Sequence, residues 1–147
     1  MKNAISIEEA EIILNKYIKT KFILDHSLES AVIMKALAKH FNENETLWFC
    51  VGLLHDLDMD TINGDYRTHG ETTTNILKKE GYEISKISNP ILAHTECLEC
   101  MNKKYIRKEK IDFALAASEQ ITGIITAYAR MRPDRFENME AKSINKK

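Results

Sequence analysis

A histidine and an aspartate stand side by side at His55-Asp56, directly after the apolar run Val51-Gly52-Leu53-Leu54, with Asp58 and Asp60 close behind. A neutral imidazole next to a carboxylate suits a divalent cation. Neighbours on a helix diverge by about 100°, so this pair can share an ion only where helix gives way to loop. Further ligands must then come from other parts of the chain. The sequence offers His26, His69 and His94, and it offers Asp112 and Glu119, two helical turns apart on nearly one face. His40 alone has nothing chemical beside it. Mixed imidazole and carboxylate donors favour iron, manganese, zinc, cobalt or nickel over magnesium or calcium.

The elements that must position these groups are all helices. Ser6-Ile7-Glu8-Glu9 is a capping box, opening a helix that carries Ala10, Ile13, Leu14, Tyr17 and Ile18 on one face to about residue 19. Asp25 reads as the N-cap of a second helix running through His40, with Leu28, Ala31, Val32, Leu37, Ala38 and Phe41 inward. A third starts near Glu45 and buries Leu47, Trp48, Val51, Leu54 and His55. From Asp56 to Thr68 the periodicity gives way to turn and cap residues, a loop long enough to be functional. A fourth helix is expected over His69 to Glu80, closed by Gly81. Ser85 or Ser88 opens a fifth, with Pro90 in its first turn. Residues 95–109 are polar and without clear period. The last helix spans Lys110 to Met131 on a stripe of Ile111, Ala114, Leu115, Ser118, Ile121, Ile125 and Tyr128, and Pro133 stops it. The fold class expected is all-α: one domain over residues 1–147, a bundle of about six helices.

Composition narrows the function. A net charge of −1 leaves no field to hold nucleic acid or an anionic membrane. The basic end, Lys142 to Lys147, reads as a solvated tail. No stretch is apolar enough to span a bilayer, and Glu8, Glu9 and Glu11 break any signal-peptide core. Three cysteines, an odd and sparse set, point to a reducing cytoplasm.

The order His26, then His55-Asp56, then a carboxylate on a long last helix resembles the HD superfamily of metal-dependent phosphohydrolases. Gly52-Leu53-Leu54-His55-Asp56-Leu57-Asp58 is similar to the Gly-Leu-Leu-His-Asp-Ile-Asp run of its small HDIG-type subgroup. Thr68-His69-Gly70, Ile76-Leu77, Gly81 and Ile91-Leu92-Ala93-His94 follow in that subgroup's order. Ala117-Ser118-Glu119-Gln120-Ile121-Thr122-Gly123 resembles its last-helix motif, and Arg132-Pro133 recurs after it. The chain departs in carrying Glu119 where the family has Asp, a carboxylate displaced by about 1.5 Å. The relatives also continue past the point where this chain ends, so the resemblance leaves open a missing C-terminal segment or a short natural variant.

The resemblance implies a metal site of His26, His55, Asp56 and Glu119, with Glu119 preferred to Asp112, which would instead cap its helix. His69 and His94 would add a second ion bridged through Asp56; with one ion they would line the pocket. Such a chain would hydrolyse a small phosphorylated molecule, a nucleotide-like monoester or diester, with metal-activated water. In the loop, Arg67 could fork onto a substrate phosphate and Asp60 could position water or a leaving group; solvated loop charges, with Asp58 supporting the site, are the plainer reading. His94-x2-Cys97-x2-Cys100 also reads as three zinc ligands, but it has no second cysteine pair. Two rival functions stand beside hydrolysis: a metal- and ligand-binding sensor or scaffold without turnover, and a metal-free helical interaction domain. The sequence sets neither the substrate nor the oligomeric state.

Overall fold

Ser6 and Glu9 close the expected capping box, Ser6 Oγ accepting from Glu9 N and the Glu9 carboxylate accepting from Ser6 N. This starts α1 (Ile7–Tyr17) in a computed structural model that describes residue 2 and residues 4–144. There follow α2 (Lys21–Phe41), α3 (Glu45–Leu54), α4 (Glu71–Lys79), α5 (Ser88–Ala93), α6 (Lys110–Arg130) and the single turn α7 (Ala141–Ile144). Three short 3-10 turns, Tyr66–Thr68, His94–Cys97 and Glu99–Met101, fill the connections. Among the described residues there is no strand; one isolated bridge joins Lys2 to Tyr82. The domain is all-α, and none of its described helices is long and apolar enough to cross a membrane. Of the basic C-terminal tail, residues 145–147 lie outside the described residues.

The centre is α3, buried from Trp48 to Leu54 on every side, as befits a helix without a polar face. α1 lays Ala10, Ile13 and Leu14 against it, and α2 crosses it. That crossing is unusually close. A Cβ at Gly52 would lie 2.8 Å from Ala31 Cα and 2.9 Å from Ser30 O, so only hydrogen fits there. The rest of the interface follows from this contact: α2 turns Ser27, Ser30, Ala31, Met34 and Ala38 inward. Leu28 and Val32, expected inward from hydrophobicity, are 50% and 57% exposed. Small residues occupy the inner face because the helices approach too closely for larger ones.

Two boundaries also differ from the sequence reading. Asp25 is not the cap of α2 but lies in its first turns, paired with Lys21. The helix begins one turn earlier because Asp60, from the loop after α3, accepts hydrogen bonds from Lys19 N, Thr20 N and Thr20 Oγ1 at 2.6, 3.0 and 2.7 Å. A carboxylate at a helix N-terminus satisfies free amides and complements the dipole. α4 begins at Glu71 rather than His69, and Gly81, just past its C-cap Glu80, closes it as expected in the left-handed region (φ +90°). Asp112 caps α6, its Oδ2 accepting from Lys108 N, Glu109 N and Asn89 Nδ2.

Candidate metal centre

α3 stops at Leu54, and His55 to Asp60 continue as consecutive turns. The two side chains of the His-Asp pair therefore meet: His55 Nε2 lies 3.3 Å from Asp56 Oδ2. α2 brings His26 Nε2 to 3.7 Å from the same oxygen, and α6 brings Glu119 Oε1 to 3.6 Å from His55 Nε2. The other oxygen, Asp56 Oδ1, faces His69 Nε2 at 3.4 Å and His94 Nε2 at 3.6 Å. Two groups of three result, His26-His55-Glu119 and Asp56-His69-His94, each with donor atoms within 4.8 Å of one another. One carboxylate turns one oxygen to each group.

The four histidines share one orientation. His55 Nδ1 bonds Gly52 O at 2.8 Å, and His94 Nδ1 bonds Ile91 O. Carbonyls only accept, so both Nδ1 atoms carry the proton. His69 Nδ1 donates to Asp58 Oδ1 at 2.8 Å. Thr122 Oγ1 donates to Glu119 O at 2.7 Å and so accepts from His26 Nδ1 at 3.1 Å. In the neutral form every Nε2 then presents a lone pair to the centre. His55 Nε2 is fully buried without a hydrogen-bond partner, and the Nε2 atoms of His69 and His94 face each other at 2.9 Å. Lone pairs arranged this way require a cation, either protons or a metal. Metal–ligand bonds of about 2.0–2.2 Å place ligand atoms roughly 3.0–3.5 Å apart, close to the separations seen. The residues present fit a divalent transition ion in each group.

Without a metal, protons supply the charge. Burial pulls the His55 imidazole down, but the Asp56 and Glu119 carboxylates outweigh it and raise its pKa to about 9. Burial likewise opposes His69, while Asp56 and Asp58 carry it to about 10. Asp56, despite the cost of burial, is held well below the ordinary carboxylate range by the surrounding imidazoles. Burial and the charge on His55 lower His26. The raised pKa values of His55 and His69 contribute stability that is complete below about pH 6.5 and is lost as pH climbs through about 9 and 10. Lowered His26 works the other way, its contribution falling away below about pH 6.5. Metal-free protein should therefore be most stable near neutrality and lose several degrees of Tm by pH 10, whereas saturating Mn²⁺ should flatten the alkaline limb. Thermal melts between pH 6 and 10, with and without Mn²⁺, check both.

Asp58 stands behind the second group, fully buried. Besides the His69 bond it accepts from Gly70 N at 2.8 Å and Thr73 N at 3.2 Å, which fixes the entry of α4 and the His69 ring together. Asp58→Asn replaces one acceptor oxygen by a donor in a site that supplies three donors. It should weaken the second metal by about 10–100-fold while the first is retained, read as one equivalent lost per chain after dialysis.

Above the centre lies a cavity of about 330 Å³ whose floor is Asp56, His69, His94 and Glu119. Among the described residues Arg107 is its only lining lysine or arginine. The Arg107 guanidinium rests against Cys97 Sγ at 3.2 Å and His94 O at 3.4 Å, and its Nε lies 3.5 Å from the Glu96 carboxylate.

All six expected ligands, His26, His55, Asp56, His69, His94 and Glu119, thus come together. The extra methylene of Glu119 still reaches the first group. The two expected substrate contacts do not line this cavity. Arg67 is exposed and forks onto Asp65 at 2.7 and 2.8 Å, its nearest carboxylate in sequence, and Asp60 is spent on the α2 cap. The zinc reading also falls, because Cys97 and Cys100 are exposed free thiols and His94 Nε2 points at His69 and Asp56. Arg107 and Thr122 were not singled out from sequence. Thr122 had a signal, lying one turn after Glu119 on the same face; Arg107, in an aperiodic stretch, had none.

The family model described as HD domain matches residues 23–131. No curated protein and no solved structure matches the chain.

Proposed function

Because the chain belongs to the HD domain family, we propose that it is a metal-dependent phosphohydrolase acting on a small phosphorylated molecule, a nucleotide-like monoester or diester. One observation carries the reading: two ligand groups share Asp56 on the floor of a cavity that also holds Arg107. His26, His55 and Glu119 would hold one ion and His69 and His94 a second, with Asp56 facing both. Bound divalent metal supplies a water of lowered pKa and neutralises charge on the phosphoryl oxygens.

The chain's own residues do the rest. The Nδ1 anchors on Gly52, Ile91, Asp58 and Thr122 hold the imidazoles in one tautomer and direction before substrate arrives. Arg107 offers N–H donors to a phosphoryl oxygen at the cavity wall, and Met59, Leu98 and Ala116 keep that wall apolar. The water oxygen bonds to phosphorus, the ester P–O bond breaks, and the proton leaves on the departing alcohol.

The test is a panel of phosphate monoesters and diesters offered to protein reconstituted with Mn²⁺, Fe²⁺, Co²⁺, Ni²⁺ or Zn²⁺. Turnover that disappears in His55→Ala supports the proposal. Metal-loaded protein that hydrolyses none of the panel overturns it in favour of a sensor or scaffold.

A further inference from the structure

A second cavity, of about 360 Å³, adjoins the metal centre on the His26 side. α6 runs beneath both: Ala116, Glu119 and Gln120 line the first, and Thr122, Gly123, Thr126 and Arg130 line the second. The wall between them is His26 with its Thr122 anchor. His26, lining the second cavity, is 20% exposed, and Asp56 and Glu119, lining the first, are 13% and 24% exposed, while His55 is sealed.

The segment that follows α6 also reaches this cavity, through Arg135 and Phe136. Arg132 bonds Asp134 through Nε and Nη2 at 3.0 and 2.7 Å, reaches Glu137 O at 2.9 Å, and packs over the Tyr128 ring. This clamp holds Arg135 in the left-handed region, φ +54°, where a side chain other than glycine, asparagine or aspartate is unusual. Arg135 and Phe136 thereby line the cavity together with His26. Phe22 lies near-parallel to the His26 ring, at 12° and 6.5 Å between centroids.

The cavity thus presents two aromatic rings, the guanidinium donors of Arg130 and Arg135, and the Glu29 carboxylate as acceptor. A second phosphate would meet Glu29 and Asp25 as well as the arginines. A flat heteroaromatic group carrying both donors and acceptors matches all of them, and the volume suits one. We propose that this cavity is the subsite for the nucleobase-like end of a substrate whose phosphoryl group lies over Asp56. The proposal rests on the hydrolytic reading above for that phosphoryl group, and on the second cavity alone for the base.

Gly123 provides the test. A Cβ there has nothing within 4 Å, and leucine is a better helix former than glycine, so Gly123→Leu should fold, with Tm and metal content checked, while filling the cavity. With Mn²⁺-loaded full chain, kcat/KM is compared for the four ribonucleoside 5′-monophosphates and for ribose 5-phosphate, which has the same ester and no base. Wild type should favour at least one nucleotide by about 10–100-fold, the worth of stacking one base, and Gly123→Leu should collapse that ratio. Absence of the preference in wild type, or its survival in Gly123→Leu, overturns the subsite. If no sugar phosphate is hydrolysed, the hydrolytic reading fails on these esters and the subsite is judged by calorimetry with the four free nucleosides. Binding to wild type that Gly123→Leu loses then upholds it; no binding, or equal binding, overturns it.

Discussion

Asp56→Ala should release both metal equivalents at once and lower kcat/KM by roughly 10³-fold or more. Each of its oxygens serves a different ligand group, Oδ2 facing His26 and His55 and Oδ1 facing His69 and His94. No other carboxylate is placed to replace either. Glu119 belongs to the first group alone, and Asp58 is committed to His69 Nδ1 and two backbone amides. Loss of a peripheral ligand such as His94 should cost one equivalent, so the contrast lies in stoichiometry. Metal content per chain after dialysis, measured by plasma mass spectrometry alongside initial rates, decides it. Two equivalents retained by Asp56→Ala would refute the shared role.

Gly52→Ala should lower stability by about 3 kcal/mol, an overpacking cost at the upper end of the usual range, or Tm by about 6–12 °C. The added methyl group meets only backbone, Ala31 Cα, Ala31 N and Ser30 O, all within 2.9 Å, and backbone cannot rotate away. α2 and α3 must separate; α2 carries His26 and α3 ends directly before His55, and the two rings are 5.2 Å apart. The Gly52 carbonyl also anchors His55 Nδ1. Metal affinity should therefore fall with stability. Gly123→Ala is the control with the opposite sign: the same change on an open helix face should stabilise by about 1 kcal/mol. Parallel melts and metal titrations of the two variants separate close packing from helix propensity.

The sequence reading assembled the ligand set through the resemblance, and read the start of the site and much of the fold from local signs. His55-Asp56 at the end of an apolar run, the Ser6-Glu9 box and the Gly81 stop are each visible within a few residues. Glu119 was chosen over Asp112 by resemblance, and the structure supplies the physical reason: Asp112 is held at the start of α6 by two cap amides and the Asn89 side chain. What failed was what depends on distant partners. Ala31 and Ala38 were read correctly onto the inward face of α2, but Ser27 and Ser30 could not be chosen over Leu28 and Val32 from hydrophobicity, because that choice is made by a glycine on another helix. Asp60 carried no local sign that it caps a helix some forty residues earlier. Arg67 is a different case, since the carboxylate that takes its guanidinium fork, Asp65, is only two residues away.

The Asp60 cap bears on how this chain could acquire a different specificity. The loop after α3 is fastened at both ends, by Asp60 to the start of α2 and by Asp58 to the start of α4. Drift there would disturb His26 and His69 together, so it is poorly suited to variation. The opposite rim differs: Asn102 and Lys103 sit in left-handed turns at the surface, joined to the core by few bonds beyond Lys104 and Tyr105 to Glu71. A library randomised over residues 98–100 and 102–104, with the buried Met101 kept, should retain metal binding in most members, and one over 56–62 in almost none. New substrates would be found by remodelling the former.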